Sequence, residues 1–81
     1  MTKQEVMERL MEIFRDNFDD ESIVLSDETT ADDIEDWDSL AQIDLIVAIQ
    51  KEFNIKLKID EANSTNNIGE MIDLILKKAD A

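Results

Sequence analysis

The sequence predicts an all-α protein, a bundle of three main helices and one short helix, with a long loop between the first and second helices. Apolar residues make up 43% of the chain, enough for a core, and in three stretches they recur at helical spacing. A single glycine and no proline leave little turn chemistry for a fold rich in β-hairpins. At 81 residues, the chain is expected to form one domain, residues 1–81.

The first helix is predicted over residues 3–17. Thr2 and Glu5 have the spacing of a capping box, in which each side chain accepts a hydrogen bond from the other residue's backbone N–H. The apolar residues that follow at helical spacing are Val6, Met7, Leu10, Met11, Ile13, Phe14 and Phe18. An amphipathic helix with one face on the core is therefore expected.

Residues 19–38 are predicted to form an acidic loop. Long structureless loops are uncommon in small domains, so this loop is expected to pack across the helices. The side chains expected to hold it there are Ile23, Val24, Leu25, Ile34 and Trp37, with the tryptophan as an aromatic anchor. The loop lacks the glycine that a calcium-binding loop requires, and no metal site is predicted.

The second helix is predicted over residues 39–53, and its apolar residues fall into two groups. One group contains Leu45, Ile46, Ile49 and Phe53. The other, which we call the apolar stripe, contains Leu40, Ile43 and Val47. In so small a bundle one group should face the core and the other could stay at least partly exposed, while Ile43 could belong partly to the core. The helix could begin with a capping box of Ser39 and Gln42, or with Asp38 as its cap.

The rest of the chain is predicted to form a short helical turn, a polar loop and a last helix. The turn covers residues 59–62 and the loop residues 63–66. Asn67 and Glu70 are spaced as a cap and its partner. The last helix carries Ile68, Met71, Ile72, Ile75 and Leu76, and then Lys77 and Lys78, which suit the negative end of a helix dipole.

Charge and composition exclude several classes of function. The net charge is −13, so phosphate backbones and anionic membrane surfaces would repel the chain, whereas basic protein surfaces would attract it. There is no cysteine for a disulfide or thiolate site, and no stretch approaches the ~20 apolar residues of a membrane span. The N-terminus lacks the pattern of a signal peptide. We therefore expect a cytoplasmic monomer that binds neither nucleic acid nor membranes.

Ser39 begins the second helix, within the segment DWDSLAQ at residues 36–42. Asp-Ser before an apolar run is an ordinary helix start, so capping alone could account for this serine. Catalysis by Ser39 would need a base, and the chain has no histidine. Its many carboxylates cannot be paired by spacing into an acid–base couple. We therefore expect that the protein is not an enzyme.

The arrangement as a whole resembles the acyl carrier protein family, also called phosphopantetheine-attachment domains. The resemblance covers nearly the whole chain and is strongest from DWDSLAQIDLIVAIQKEFNIKL through IDEANSTNNIGEMIDLI. Its most specific element is the Asp-Ser-Leu motif at residues 38–40, followed at carrier-like spacing by Ile43, Asp44, Leu45, Ala48, Glu52 and Phe53. Ile68 and Ile72 match apolar positions of the family's last helix.

The resemblance implies a carrier function and a covalent cofactor. A phosphopantetheinyl transferase would attach 4′-phosphopantetheine to Ser39, and acyl groups would then travel as thioesters on its thiol. Asp38 would cap the helix and contact the transferase, or serve as a cap only. We expect the apolar stripe, with Asp44 at its edge, to bind acyl-loading and acyl-processing enzymes through their basic docking patches, unless the loop buries it.

Departures from the family pattern leave the pathway open. Familiar fatty-acid carriers often have a glycine shortly before the serine, whereas Asp36 and Trp37 stand there in this chain. A tryptophan is found there in some carriers of polyketide, peptide or other specialised pathways. The absence of flanking linkers favours a discrete carrier over a segment of a synthase. The alternative function is an unmodified acidic adaptor or inhibitor that binds a basic protein.

Overall fold

The structure, a computed structural model, describes residues 1–79 and confirms the predicted all-helical bundle. Three long helices, α1 (Lys3–Phe18), α2 (Ser39–Phe53) and α4 (Ile68–Ala79), are accompanied by one short helix, α3 (Ile59–Asn63). A single 3₁₀ turn at Ala31–Asp33 interrupts the loop between α1 and α2. Among these residues, no helix has the length and apolar character needed to cross a membrane.

Both ends of α1 follow from local sequence. The predicted capping box is present: Glu5 N donates to Thr2 Oγ1 at 3.2 Å, and Thr2 N donates to Glu5 Oε1 at 3.1 Å. The helix ends at Asp19, whose backbone is left-handed with φ of 49°. Asn54 ends α2 in the same way, with φ of 52°. Asp and Asn tolerate this conformation better than other non-glycine residues, so both helices stop without a glycine.

The core lies between the inward faces of the helices, and the long loop closes one side of it. Its buried side chains are Val6, Leu10, Ile13, Phe14, Leu25, Leu45, Ile46, Ile49, Phe53, Leu57, Ala62, Ile68, Met71, Ile72 and Ile75. On α2, this core takes up the predicted group of four apolar residues and leaves the apolar stripe outside it. The expected partial core role of Ile43 is wrong, because its side chain is exposed and does not pack on the core.

The loop packs on the bundle as predicted, with one correction. Leu25 is buried, and Ile23, Ile34 and Trp37 are partly buried against the core. Val24, in contrast, is 72% exposed, so its predicted packing role is wrong. Composition identified an apolar segment, but once Leu25 faces the core its chain neighbour is directed to solvent.

Hydrogen bonds join the loop to the start of α4. Ile68 N donates to the Thr29 carbonyl and Gly69 N to the Asp27 carbonyl, each at 2.9 Å. These N–H groups have no partner within their own helix, so the loop satisfies them. A Cβ at Gly69 would lie 3.1 Å from the Asp27 carbonyl oxygen. The only glycine of the chain therefore permits this close approach.

Candidate functional site

The first turn of α2 is capped by Asp38. Its backbone is extended, with φ of −111° and ψ of −171°, as an N-cap requires. Its carboxylate accepts a hydrogen bond from Ala41 N at 2.9 Å, and its carbonyl accepts one from Gln42 N at 2.9 Å. The sequence left two caps open, and the structure identifies Asp38 as the cap. The alternative capping box of Ser39 and Gln42 is wrong, because Ser39 already belongs to the helix.

Ser39 is thereby the first residue of α2, and it is exposed to solvent. Its hydroxyl is not used to begin the helix, because the Asp38 carboxylate does this. The chain contains no histidine to activate it, and residues 1–79 contain no cluster of His, Asp or Glu side chains arranged to hold a metal ion. The hydroxyl is therefore accessible to chemistry supplied by another protein.

The backbone around Ser39 suits a phosphate ester. The N–H groups of Ser39 and Leu40 precede the first hydrogen bond of the helix, while that of Ala41 is taken up by Asp38. No acidic side chain lies in the first turn itself. Negative charge at such a helix end is stabilised by roughly 0.3–1 kcal/mol when exposed. The site therefore fits the phosphate of the expected cofactor.

A cleft of about 460 Å³ opens beside Ser39. It lies between the long loop, α2, α3 and the start of α4, and it is lined by Thr30, Ala31, Trp37, Asp38, Ser39, Gln42, Ile43, Ile59, Ala62, Asn63, Thr65, Asn66, Asn67 and Met71. Its apolar lining includes Ile43, Ile59 and Met71, while amide and hydroxyl groups contribute the polar part. The cleft combines an apolar wall with groups that can hydrogen-bond.

Three side chains form a hydrogen-bonded chain at this cleft, which we call the amide bridge: Trp37, Gln42 and Asn63. The Trp37 indole Nε1–H donates to Gln42 Oε1 at 2.6 Å, and Gln42 Nε2 donates to Asn63 Oδ1 at 3.4 Å. The bridge links the loop to α2 and α2 to α3. Sequence reasoning missed it, because Gln42 was interpreted as a capping partner and Asn63 lies 21 residues away.

Trp37 also packs on the bundle, as predicted. Its ring meets that of Phe14 edge to face, with centroids 5.0 Å apart and an angle of 84° between the planes. Since Trp37 lines the cleft as well, one side chain both fixes the loop on α1 and bounds the space beside Ser39.

The apolar stripe is exposed, as predicted for the second group on α2. Leu40 is 74% exposed, Ile43 46% and Val47 47%, and Asp44 beside them is exposed too. Ile43 also lines the cleft, so it connects the stripe to the space beside Ser39. An exposed apolar row edged by a carboxylate can contact a partner that is apolar at its centre and basic at its rim.

The short helix α3, which forms one side of the cleft, is held in place by hydrogen bonds and an ion pair at Glu61. Glu61 accepts hydrogen bonds from Lys78 Nζ at 2.5 Å and from the Lys58 backbone N–H at 3.2 Å. These two contacts, the lysine side chain first, hold the pKa of Glu61 below its ordinary value. The ion pair ties α3 to the last turn of α4.

The chain is similar to known proteins over most of its length. A family model described as "Phosphopantetheine attachment site" matches residues 8–75. An acyl carrier protein from Guillardia theta is 33% identical over 82 aligned positions that cover 100% of both chains. One from Petrotoga mobilis is 33% identical, with 96% of this chain and 92% of that protein covered. The NMR structure of a holo acyl carrier protein from Geobacter metallireducens matches with a TM-score of 0.83 and 44% identity, covering 90% of this chain and 84% of that one.

Proposed function

Because this chain belongs to the acyl carrier proteins, the family with a phosphopantetheine attachment domain, we propose that Ser39 is the residue that bears its prosthetic group. The protein is a carrier and not an enzyme, and phosphopantetheine is its cofactor. The observation that supports Ser39 is its position: an exposed hydroxyl on the first residue of α2, at a cleft and beside free backbone N–H groups.

The chain's own residues present and orient the hydroxyl, and a transferase supplies the reaction. In the attachment step, a bond forms between Ser39 Oγ and the phosphorus next to pantetheine as the P–O bond to the other half of the coenzyme A diphosphate breaks, and adenosine 3′,5′-bisphosphate leaves. The hydroxyl proton passes to a base of the transferase, so the absence of histidine from this chain is no obstacle. Once bound, the group provides the thiol that holds acyl cargo as a thioester, which a chain without cysteine could not provide itself.

Asp38 has two functions in this proposal. It keeps Ser39 at the first helical position by accepting the Ala41 N–H, and its exposed carboxylate provides a polar contact for the transferase. The first function rests on a hydrogen bond of 2.9 Å, whereas the second rests on exposure and on its position beside Ser39.

The apolar stripe and Asp44 form the proposed docking surface for acyl-loading and acyl-processing enzymes. Apolar contact would supply binding energy, and the acids would accelerate encounter with basic patches. Partial exposure suits a carrier, because a shallow surface allows each enzyme to bind and release in turn. The cargo comes from a fatty-acid-like pathway or a specialised one of the polyketide or peptide type. Loading assays with acyl-transferring and with aminoacyl-activating enzymes separate these pathways.

Intact-mass measurement after incubation with coenzyme A and a broad-specificity transferase tests the assignment of Ser39. We expect one phosphopantetheine addition in the wild type and none in Ser39→Ala. Ser22→Ala is the matched control, since Ser22 is also exposed but lies in the loop, and it should gain the same mass. Addition of phosphopantetheine to Ser39→Ala would show that the attachment point is a different residue. No addition to the wild type, under conditions that modify a known carrier, would favour the unmodified acidic adaptor.

A further inference from the structure

Gln42 lies one helical turn after Ser39, and its side chain holds two other segments of the protein. It accepts from Trp37 of the loop and donates to Asn63 of α3. We propose that Gln42 is a positioning residue for the phosphopantetheine arm: it closes the amide bridge in the unmodified chain and exchanges a bridge partner for an amide of the arm after modification. This inference rests on attachment at Ser39.

Ser39 and Gln42 are close enough for an arm attached to Ser39 to reach the side chain of Gln42. Residues three apart on a helix are neighbours, with Cβ atoms about 5–6 Å from each other, and both Ser39 and Gln42 line the same cleft. A group tethered to Ser39 therefore explores the space next to Gln42 at an effective concentration on the order of millimolar. A contact between the arm and Gln42 is therefore populated when its intrinsic dissociation constant is at or below about the millimolar range.

Gln42 makes the same number of hydrogen bonds before and after the proposed exchange. The arm contains secondary amides, which offer the same N–H donor and carbonyl acceptor as the Gln42 side chain. The indole of Trp37 can only donate, and it is partly buried, so it needs an acceptor in either state. Gln42 Oε1 can therefore stay on the indole while Gln42 Nε2 donates to an amide carbonyl of the arm in place of Asn63 Oδ1.

The second contact of the bridge is the weaker one. The 3.4 Å separation of Gln42 Nε2 and Asn63 Oδ1 lies beyond the usual range of N–H···O bonds, whereas the Trp37 contact at 2.6 Å is short. Exchange at the Asn63 end therefore costs little.

Comparison of the apo and holo forms tests the inference without an activity assay. Trp37 is the only tryptophan, so quenching of its fluorescence by acrylamide reports on this one site. We expect quenching to fall when the wild type is converted to the holo form, because the arm covers the indole. We also expect the side-chain amide resonances of Gln42 to shift, while those of Gln4, exposed on α1, stay in place.

Two variants and a control separate positioning from packing. In Gln42→Leu, the difference in quenching between apo and holo forms should be lost, and in Gln42→Glu, which keeps an acceptor but loses the donor, it should shrink. Gln4→Leu should behave as the wild type. Equal apo and holo quenching in the wild type, or an unchanged difference in Gln42→Leu, would overturn the inference. Intact mass is recorded for every sample: failure of the wild type to be modified refutes the Ser39 assignment, and this inference with it.

Discussion

Replacing Asp38 with alanine removes the hydrogen bond that begins α2. The contact joins its carboxylate to Ala41 N over 2.9 Å, and both the charge and the acceptor are lost in the variant. Asp38 is exposed, so water partly replaces the lost acceptor. Loss of an N-cap of this kind typically costs ~1 kcal/mol. In a domain of this size, that corresponds to a fall in Tm of roughly 4–8 °C.

Urea unfolding followed by circular dichroism measures the effect as a change in the free energy of unfolding. Asp38→Asn tests the mechanism, because asparagine caps a helix about as well as aspartate. Its stability should stay near that of the wild type. Asp44→Ala is the matched control: it removes the same charge from an exposed site within α2 but deletes no cap. We expect this change to be within about 0.5 kcal/mol of the wild type.

Two results would refute the reasoning about the cap. If Asp38→Ala were as stable as Asp44→Ala, the hydrogen bond to Ala41 would contribute nothing measurable. If Asp38→Asn lost as much stability as Asp38→Ala, the charge of the carboxylate and not its acceptor oxygen would be the stabilising feature. A total stability of about 5–15 kcal/mol leaves all of these variants folded, so each can be measured.

Two further predictions concern the docking surface and the charge that holds α3. Val47→Lys should change stability by no more than about 0.5 kcal/mol, since Val47 is 47% exposed, but should lower acyl loading by roughly tenfold. Val24→Lys, at a loop site that is 72% exposed, makes the same change of charge and should load normally; equal losses would refute the docking surface. Glu61→Gln should be less stable than the wild type at neutral pH, because Lys78 and a backbone N–H lower the pKa of Glu61 in the folded state. Stability from a lowered carboxyl pKa is present above the unfolded value and is lost as pH falls through the folded one, so the difference should shrink below about pH 4.5 and then vanish. Glu35→Gln is the control in urea unfolding at each pH, and a Glu61→Gln difference that does not depend on pH would contradict the role of the ion pair.

The helices and their inward faces could be predicted because their signals are local. Thr2 and Glu5 lie three residues apart and form the predicted capping box. On α2, helical periodicity alone separated Leu45 and its group from the exposed stripe. A helix fixes the angular position of every side chain from its place in the sequence, so such assignments need no tertiary information.

The errors fall where the outcome depends on contacts between distant segments. Composition identified Val24 as an apolar loop residue but could not show that Leu25 would take the place in the core. Gln42 had the spacing of a capping partner, yet its amide reaches Trp37 and Asn63. The contacts of side chains at irregular or partly buried positions are determined only by the packing of the helices.

Residue patterns along the chain predict the helical architecture, the serine that follows an aspartate at the start of α2, and the division of that helix into a core face and an exposed face. These features depend on spacing along a regular backbone. The folded structure was needed to show that Asp38 and not Ser39 caps the helix, that the loop binds the start of α4 through Thr29 and Asp27, and that a cleft with its amide bridge lies beside the serine. Each of these depends on backbone conformation and on contacts across the bundle, which residue spacing does not specify.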